Sequence, residues 1–217
     1  MGYAGAEHRA RRARLRGDRQ VEMTGTEPTR DEAWELLCEW TESDSLRKHA
    51  LGVEAAMRAY AREFGEDEEL WAVTGLVHDL DYERYPDLDT GHPRIALEEL
   101  RKREYPEEVV EAVAGHAEFL EVPRETRLAK TLFAVDELSG FVAACALVRP
   151  TGIEGMAPKS VRKKLKQPSF AAKVDRDQIR RSIEELGVDE TEHIRFVIDA
   201  MSERADELGL SAAQVSG

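Results

Sequence analysis

Cysteine, aromatic side chains, long apolar runs and positive charge are all scarce in this chain, and each shortage excludes something. Two cysteines among 217 residues, Cys38 and Cys145, sit inside apolar helical patterns without the spacing of a disulfide framework or a metal finger. They predict reduced core thiols in a cytoplasmic protein. The longest apolar run, Phe141 to Val148, falls far short of the ~20 residues that cross a bilayer, so no membrane partner is expected. The Arg-rich start, GAEHRARRARLRGDRQVEMTG, has no apolar segment behind it and is not a secretory signal. No stretch alternates with period 2, which leaves no convincing strand. The formal charge is -13. Residues 1–22 carry six arginines against Glu7, Asp18 and Glu22, so the rest holds 25 basic and 41 acidic residues, or -16. So acidic a body is a poor general binder of nucleic acid, and none is expected as partner.

Apolar residues recur at helical spacing almost throughout. Residues 1–28 read as a disordered basic extension, with Met23 as an alternative natural start and a transit peptide or nucleic-acid arm as rival readings. Residues 29–217 read as one all-α domain, long enough to bury a core. Helices are expected over Asp31–Trp40, from a cap near Ser45 to Phe64 before Gly65, and over Asp67–Leu80. Pro93–Tyr105 and Pro106–Ala117 each have proline in the first turn. Arg127–Val148, Asp177–Leu186 and Glu192–Leu208 follow, the last two closed by glycine.

Several polar side chains fall on the inward faces of these helices. His49 is in line with Val53, Ala56 and Tyr60, His78 with Trp71 and Thr74, and His116 with Val109, Ala112 and Val113. Asp136 follows Leu132 and Phe133 at helical spacing, and His92 stands in the loop after His78 and Asp79. A buried, unpaired carboxylate costs several kcal/mol, and a paired charge or a metal relieves it. A single inward histidine is adequately explained by a hydrogen-bonded core imidazole. The set would need a separate rescue for each member, whereas one shared cation site serves all. Gly52, Gly75, Gly115 and Gly140 lie close to these residues and suit close approach, although glycine within a helix costs about 1 kcal/mol relative to alanine. Adjacent helical residues diverge by about 100°, so His78 and Asp79 share a site only at a helix end.

The order His49, His78-Asp79, Asp136 resembles the HD superfamily of metal-dependent phosphohydrolases, over about residues 45–150. Residues 155–210 look like accessory C-terminal helices around that helical bundle. With His92 in GHPRIALEEL and His116 in EAVAGHAEF, the chain is similar to members that hold two metals. The stretches LFAVDELSGFVAACALVRP and SVRKKLKQPSFAAKV resemble a bacterial and archaeal group of HD-domain hydrolases of unassigned substrate. The resemblance implies two divalent ions, among Mn, Fe, Mg, Ni, Co and Zn. His49, His78 and Asp136 would bind the first, His92 and His116 the second, with Asp79 bridging; Asp79 and His78 would carry the catalysis. Many relatives read H-D-I-G-K where this chain reads H-D-L-D-Y, so Tyr82 replaces a lysine. The absence of a GYP motif argues against cyclic dinucleotide phosphodiesterase activity.

Such a pair of ions suits hydrolysis of a small phosphorylated metabolite or nucleotide by an activated water. Cations for the phosphate are expected from Arg94 and Lys130, or from KSVRKKLKQPSFAAK with Lys159 and Lys163, which otherwise reads as a solvated helix face. The loop DYERYPDLDTG reads as a lid carrying a general acid, Asp81 or Glu83, or as a solvated acidic loop, with Glu83 a substrate contact. A mixed-valence di-iron oxygenase on the same scaffold and a non-catalytic regulatory module are the alternatives. A homodimer is compatible with all three.

Overall fold

The computed structural model describes residues 28–215; the basic extension expected over 1–28 lies, but for its last residue, outside them. Among the described residues the secondary structure is entirely helical, as the absence of period-2 patterning predicts. Helix α1 (Arg30–Trp40) opens on a reciprocal cap: the Thr29 hydroxyl accepts from Glu32 N–H while the Glu32 carboxylate accepts from Thr29 N–H. Helix α2 (Asp44–Phe64) is capped by Ser43 and stopped by Gly65 at φ 70°, a left-handed conformation that glycine adopts without cost. Helix α3 (Glu68–Val77) is capped by the Asp67 side chain.

Pro93 and Pro106 stand one residue ahead of α4 (Arg94–Lys102) and α5 (Glu107–His116) rather than in their first turns. The long α6 (Arg127–Leu147) follows, then α7 (Pro158–Leu165), α8 (Arg176–Leu186), α9 (Glu190–Ser202), α10 (Ala205–Leu208) and α11 (Ala212–Val215). Helix α6 is the axis of the bundle, packing against α2, α5, α7, α8 and α9. Its Leu132, Phe133, Leu138 and Phe141 are fully buried. Cys38 and Cys145 are both free thiols, and Cys145 is in the core.

The helix expected over Glu192–Leu208 breaks after Ser202. Arg204 leaves helical geometry, at φ -119° and ψ 24°, and its guanidinium reaches Glu54 at 2.9 Å and Glu207 at 2.7 Å. Glu54, only 1% exposed, is also held by Arg30 at 3.0 Å and Arg58 at 3.1 Å. A buried carboxylate is tolerable only when so paired, and this one ties α1 and the C-terminal segment to α2. No helix among the described residues is long and apolar enough to cross a membrane.

Candidate metal centre

Four elements bring the candidate ligands together. His49 comes from the second turn of α2, His78 and Asp79 from the end of α3, His116 from the last residue of α5 and Asp136 from the middle of α6. Helix α3 stops at Val77 instead of Leu80, because the chain beyond tightens into turns: Leu80 N–H donates to Val77 at 3.2 Å and Tyr82 N–H to Asp79 at 3.0 Å. At this helix end the side chains of His78 and Asp79 still converge, Nε2 of one lying 3.4 Å from Oδ2 of the other. His92 arrives on the returning strand of the loop, where its N–H donates to the Tyr85 carbonyl at 2.8 Å. A side chain at Gly91 would collide with that same carbonyl, so the loop is wound as tightly as its glycine permits.

The two oxygens of Asp79 face two different groups. Its Oδ2 lies 3.4 Å from His78 Nε2 and 3.9 Å from His49 Nε2. Asp136 Oδ1 completes this side, 3.1 Å from His49 Nε2 and 3.4 Å from His78 Nε2. The Oδ1 of Asp79 lies 3.4 Å from His116 Nε2 and 3.6 Å from His92 Nε2. Two donors that each sit about 2.1 Å from one ion are separated by about 3.0 to 3.4 Å at octahedral or tetrahedral angles. The observed separations run from 3.1 to 3.9 Å, at and somewhat above that range, and the donor atoms of His49, His78 and Asp79, like those of Asp79, His92 and His116, lie within 4.8 Å of one another.

Protonation of the rings agrees with this. His78 Nδ1 must donate to the Gly75 carbonyl at 2.8 Å, and His116 Nδ1 to the Val113 carbonyl, since a carbonyl only accepts. Their Nε2 atoms therefore carry lone pairs when the rings are neutral, and those lone pairs point at carboxylates. Acceptors so opposed need a proton or a cation between them. His78 Nε2 is fully buried without a hydrogen-bond partner, an orphan of the kind that a bound ion satisfies. Burial opposes charge on His78, yet Asp79 and Asp136 prevail and hold the imidazole well above its ordinary range. Burial likewise opposes charge on the carboxylates; the His78 and His116 rings hold Asp79 well below the usual range, and His78 with His49 does so for Asp136. Without an ion, a proton on His78 balances the carboxylates.

Of the two readings of the loop, lid or solvated acidic surface, the second describes residues 82–90, which are exposed, while several side chains in and around it are tied down. Asp81 is fully buried, accepting from His92 Nδ1 at 2.8 Å and from Ala96 N–H at 2.7 Å; it orients an imidazole and has no path to a substrate. Glu83 accepts from the backbone N–H of Glu42 at 2.6 Å and of Ser43 at 3.2 Å, holding the start of α2. Arg84 donates to the Glu39 carbonyl, and Arg94 to that of Leu88 at 2.5 Å.

The cluster opens into a cleft of about 540 Å³. Its other lining includes the apolar or aromatic Tyr82, Leu88 and Phe119 and the polar Glu118, Glu137, Asp175 and Gln178. Neither Arg94, Lys130, Lys159 nor Lys163 lines it, and no lysine or arginine does among the described residues. The expected phosphate-gripping cations are therefore not brought to the site; Lys159 and Lys163 are exposed on α7. Glu137, which sequence reasoning passed over because it follows a candidate ligand at an unremarkable helical position, sits in the cleft wall. Burial first, and Asp136 beside it second, push its carboxyl up to about 7.

Four imidazoles and two carboxylates are a donor set for a borderline divalent ion, and two groups among them, His49 with His78 and Asp79, and Asp79 with His92 and His116, could hold a metal ion. Residues 46–140 match the HD domain family. Over 95 residues the chain is 33% identical to Ribonuclease Y of Lactobacillus acidophilus and 31% identical to those of Lactobacillus gasseri and Lactobacillus johnsonii. That alignment covers 44% of this chain and 17% of each relative. No solved structure gives a significant match.

Proposed function

We propose, on the premise that residues 46–140 of this chain are an HD domain, that the protein is a metal-dependent phosphohydrolase of small phosphorylated metabolites or nucleotides. His49, His78 and Asp136 would hold one divalent ion and His92 and His116 a second, with Asp79 shared by the two sets. The observation that carries this is the division of Asp79, with Oδ2 turned to one set of imidazoles and Oδ1 to the other.

When bound, the ions supply positive charge and an activated water for phosphoryl transfer. The chain supplies position. Carbonyl groups on α3 and α5 hold His78 and His116 in the tautomer that leaves Nε2 free, and Asp81 does the same for His92. Glu118 and Asp175 in the wall already face Arg181, at 2.6 and 3.9 Å, and among the described residues no lysine or arginine lines the cleft, so the ions would supply the charge that draws in the substrate's anion. In the reaction the water oxygen forms its bond to phosphorus and the bond to the leaving oxygen breaks. That oxygen departs with a proton from the solvent-open cleft, giving alcohol and phosphate.

The test is metal content per chain, followed by phosphate release from nucleotides and sugar phosphates under anaerobic Mn. About two ions per chain and turnover that falls to background in Asp79→Ala are expected. Turnover unaffected by Asp79→Ala would refute the bridging role. A short RNA belongs in the screen because the relatives are named ribonucleases; a chain of net charge -13 is expected to leave it uncut. Iron as the bound metal with oxygen uptake and no phosphate release would instead favour an oxygenase. No metal above background would favour a non-catalytic module.

A further inference from the structure

Beside the metal cleft lies a second cavity of about 630 Å³, a size typical of small-molecule sites. It is lined chiefly by aliphatic side chains, among them Ala143, Leu147, Val174, Met201, Leu208 and Leu210. Of its charged groups Lys48 pairs with Asp44 at 2.7 Å, and Lys173 adds a further positive charge at its wall. The two cavities share walls: Leu46, His49 and Gly140 line both. A molecule with its phosphate among the imidazoles thus has an apolar room next to it.

Gly140 is the partition. A Cβ added there would meet only the His49 ring, at 3.8 and 3.9 Å, which is ordinary contact. Packing therefore does not demand glycine at this point of α6, where alanine is the better helix former. The missing side chain keeps the boundary between cleft and cavity low. Among the described residues no phenylalanine, tyrosine or tryptophan lines the cavity, whose one ring is the His49 imidazole in the shared wall, so away from that wall it offers no ring face on which a nucleobase would stack.

We propose that this cavity receives the aliphatic part of the substrate, so that the preferred substrates are phosphomonoesters of medium-chain aliphatic alcohols rather than nucleotides. The assignment rests on the phosphohydrolase reading above and narrows it. Phosphate release is measured with Mn-loaded full-length protein on n-alkyl phosphates from ethyl to decyl, with adenosine monophosphate alongside. Each methylene entering the cavity is expected to raise kcat/KM roughly three- to fourfold until the room is filled. Ala144→Phe, which projects a ring from the α6 wall, is expected to flatten that series, and Gly140→Val to flatten it by closing the passage. Metal content of both variants is measured to show that the centre is intact.

A flat series in protein that hydrolyses adenosine monophosphate would overturn the cavity assignment and leave the phosphohydrolase standing. A chain-length dependence that survives both substitutions would overturn it as well. Metal-loaded protein that hydrolyses no phosphoester at all would overturn both.

Discussion

The Asp81 carboxylate spends one oxygen on His92 Nδ1 and the other on Ala96 N–H. An amide in its place can accept from only one of these donors, because its nitrogen faces the other. Asp81→Asn is therefore expected to weaken the second ion by ~10- to 100-fold, as loss of a ligand's orienting partner does. Metal titration should show occupancy falling from two ions toward one while helical circular dichroism is retained; unchanged affinity at both sites would remove Asp81 from this role. At the same scale His193, outside the site, is a histidine of the bland kind: buried, with Nε2–H donating to the Ala134 carbonyl at 3.1 Å and Nδ1 accepting from Tyr60. Burial pushes its pKa down to about 4. An unfolded histidine titrates near 6.5, so between about pH 6.5 and pH 4 the unfolded chain binds a proton that the folded chain refuses. Its contribution is complete above that window and lost as pH falls through it, by about 3 kcal/mol. Denaturant melts of metal-free protein should show this slope, and His193→Gln should reduce it; equal slopes would count against it.

Among the elements, α2 and α3 approach more closely than any side chain at position 75 allows. A Cβ on Gly75 would lie 2.9 Å from both Glu54 Cα and Glu54 N, and backbone cannot step aside as a flexible side chain does. Gly75→Ala is expected to cost about 1 to 3 kcal/mol and to move the Gly75 carbonyl that orients His78. Gly140→Ala, with only ordinary contacts, is expected to be neutral or to gain up to about 1 kcal/mol. Thermal melts of the two variants decide the matter, and a harmless Gly75→Ala would mean that the helices can separate freely. Both glycines attract notice in the sequence for the same reason, proximity to a candidate ligand, yet only one is required by packing.

For the whole molecule, the candidate ligands come from α2, the end of α3, the loop after it, α5 and α6, so an ion held there links them and binds the folded state alone. Stability then rises with free metal as mass action requires, by about 2.7 kcal/mol at one hundred times the dissociation constant. Chelator-stripped protein is expected to melt lower and recover on adding Mn, while Asp79→Ala, lacking the carboxylate between the sets, responds much less. Equal metal-induced shifts in both proteins would show that the ion binds elsewhere.

The all-α class, most helix positions and the inward facing of the six clustered side chains were legible in the sequence. Helical period and capping are local, and an imidazole or carboxylate on an inward face advertises its own burial cost. Asp81 and Glu83 were not legible, since an acidic residue in an acidic loop reads the same whether it is sealed inside, as Asp81 is, or bound to a helix start, as Glu83 is. The break at Ser202 depended on Arg204 finding Glu54 from 150 residues away. The basic stretch of α7 looked like a phosphate grip because charge is visible in sequence and direction is not. Which groups meet is settled by long-range packing, and there the tertiary structure alone decided: it turned the two oxygens of Asp79 to opposite sides, kept lysine and arginine out of the cleft, and set an apolar cavity against it.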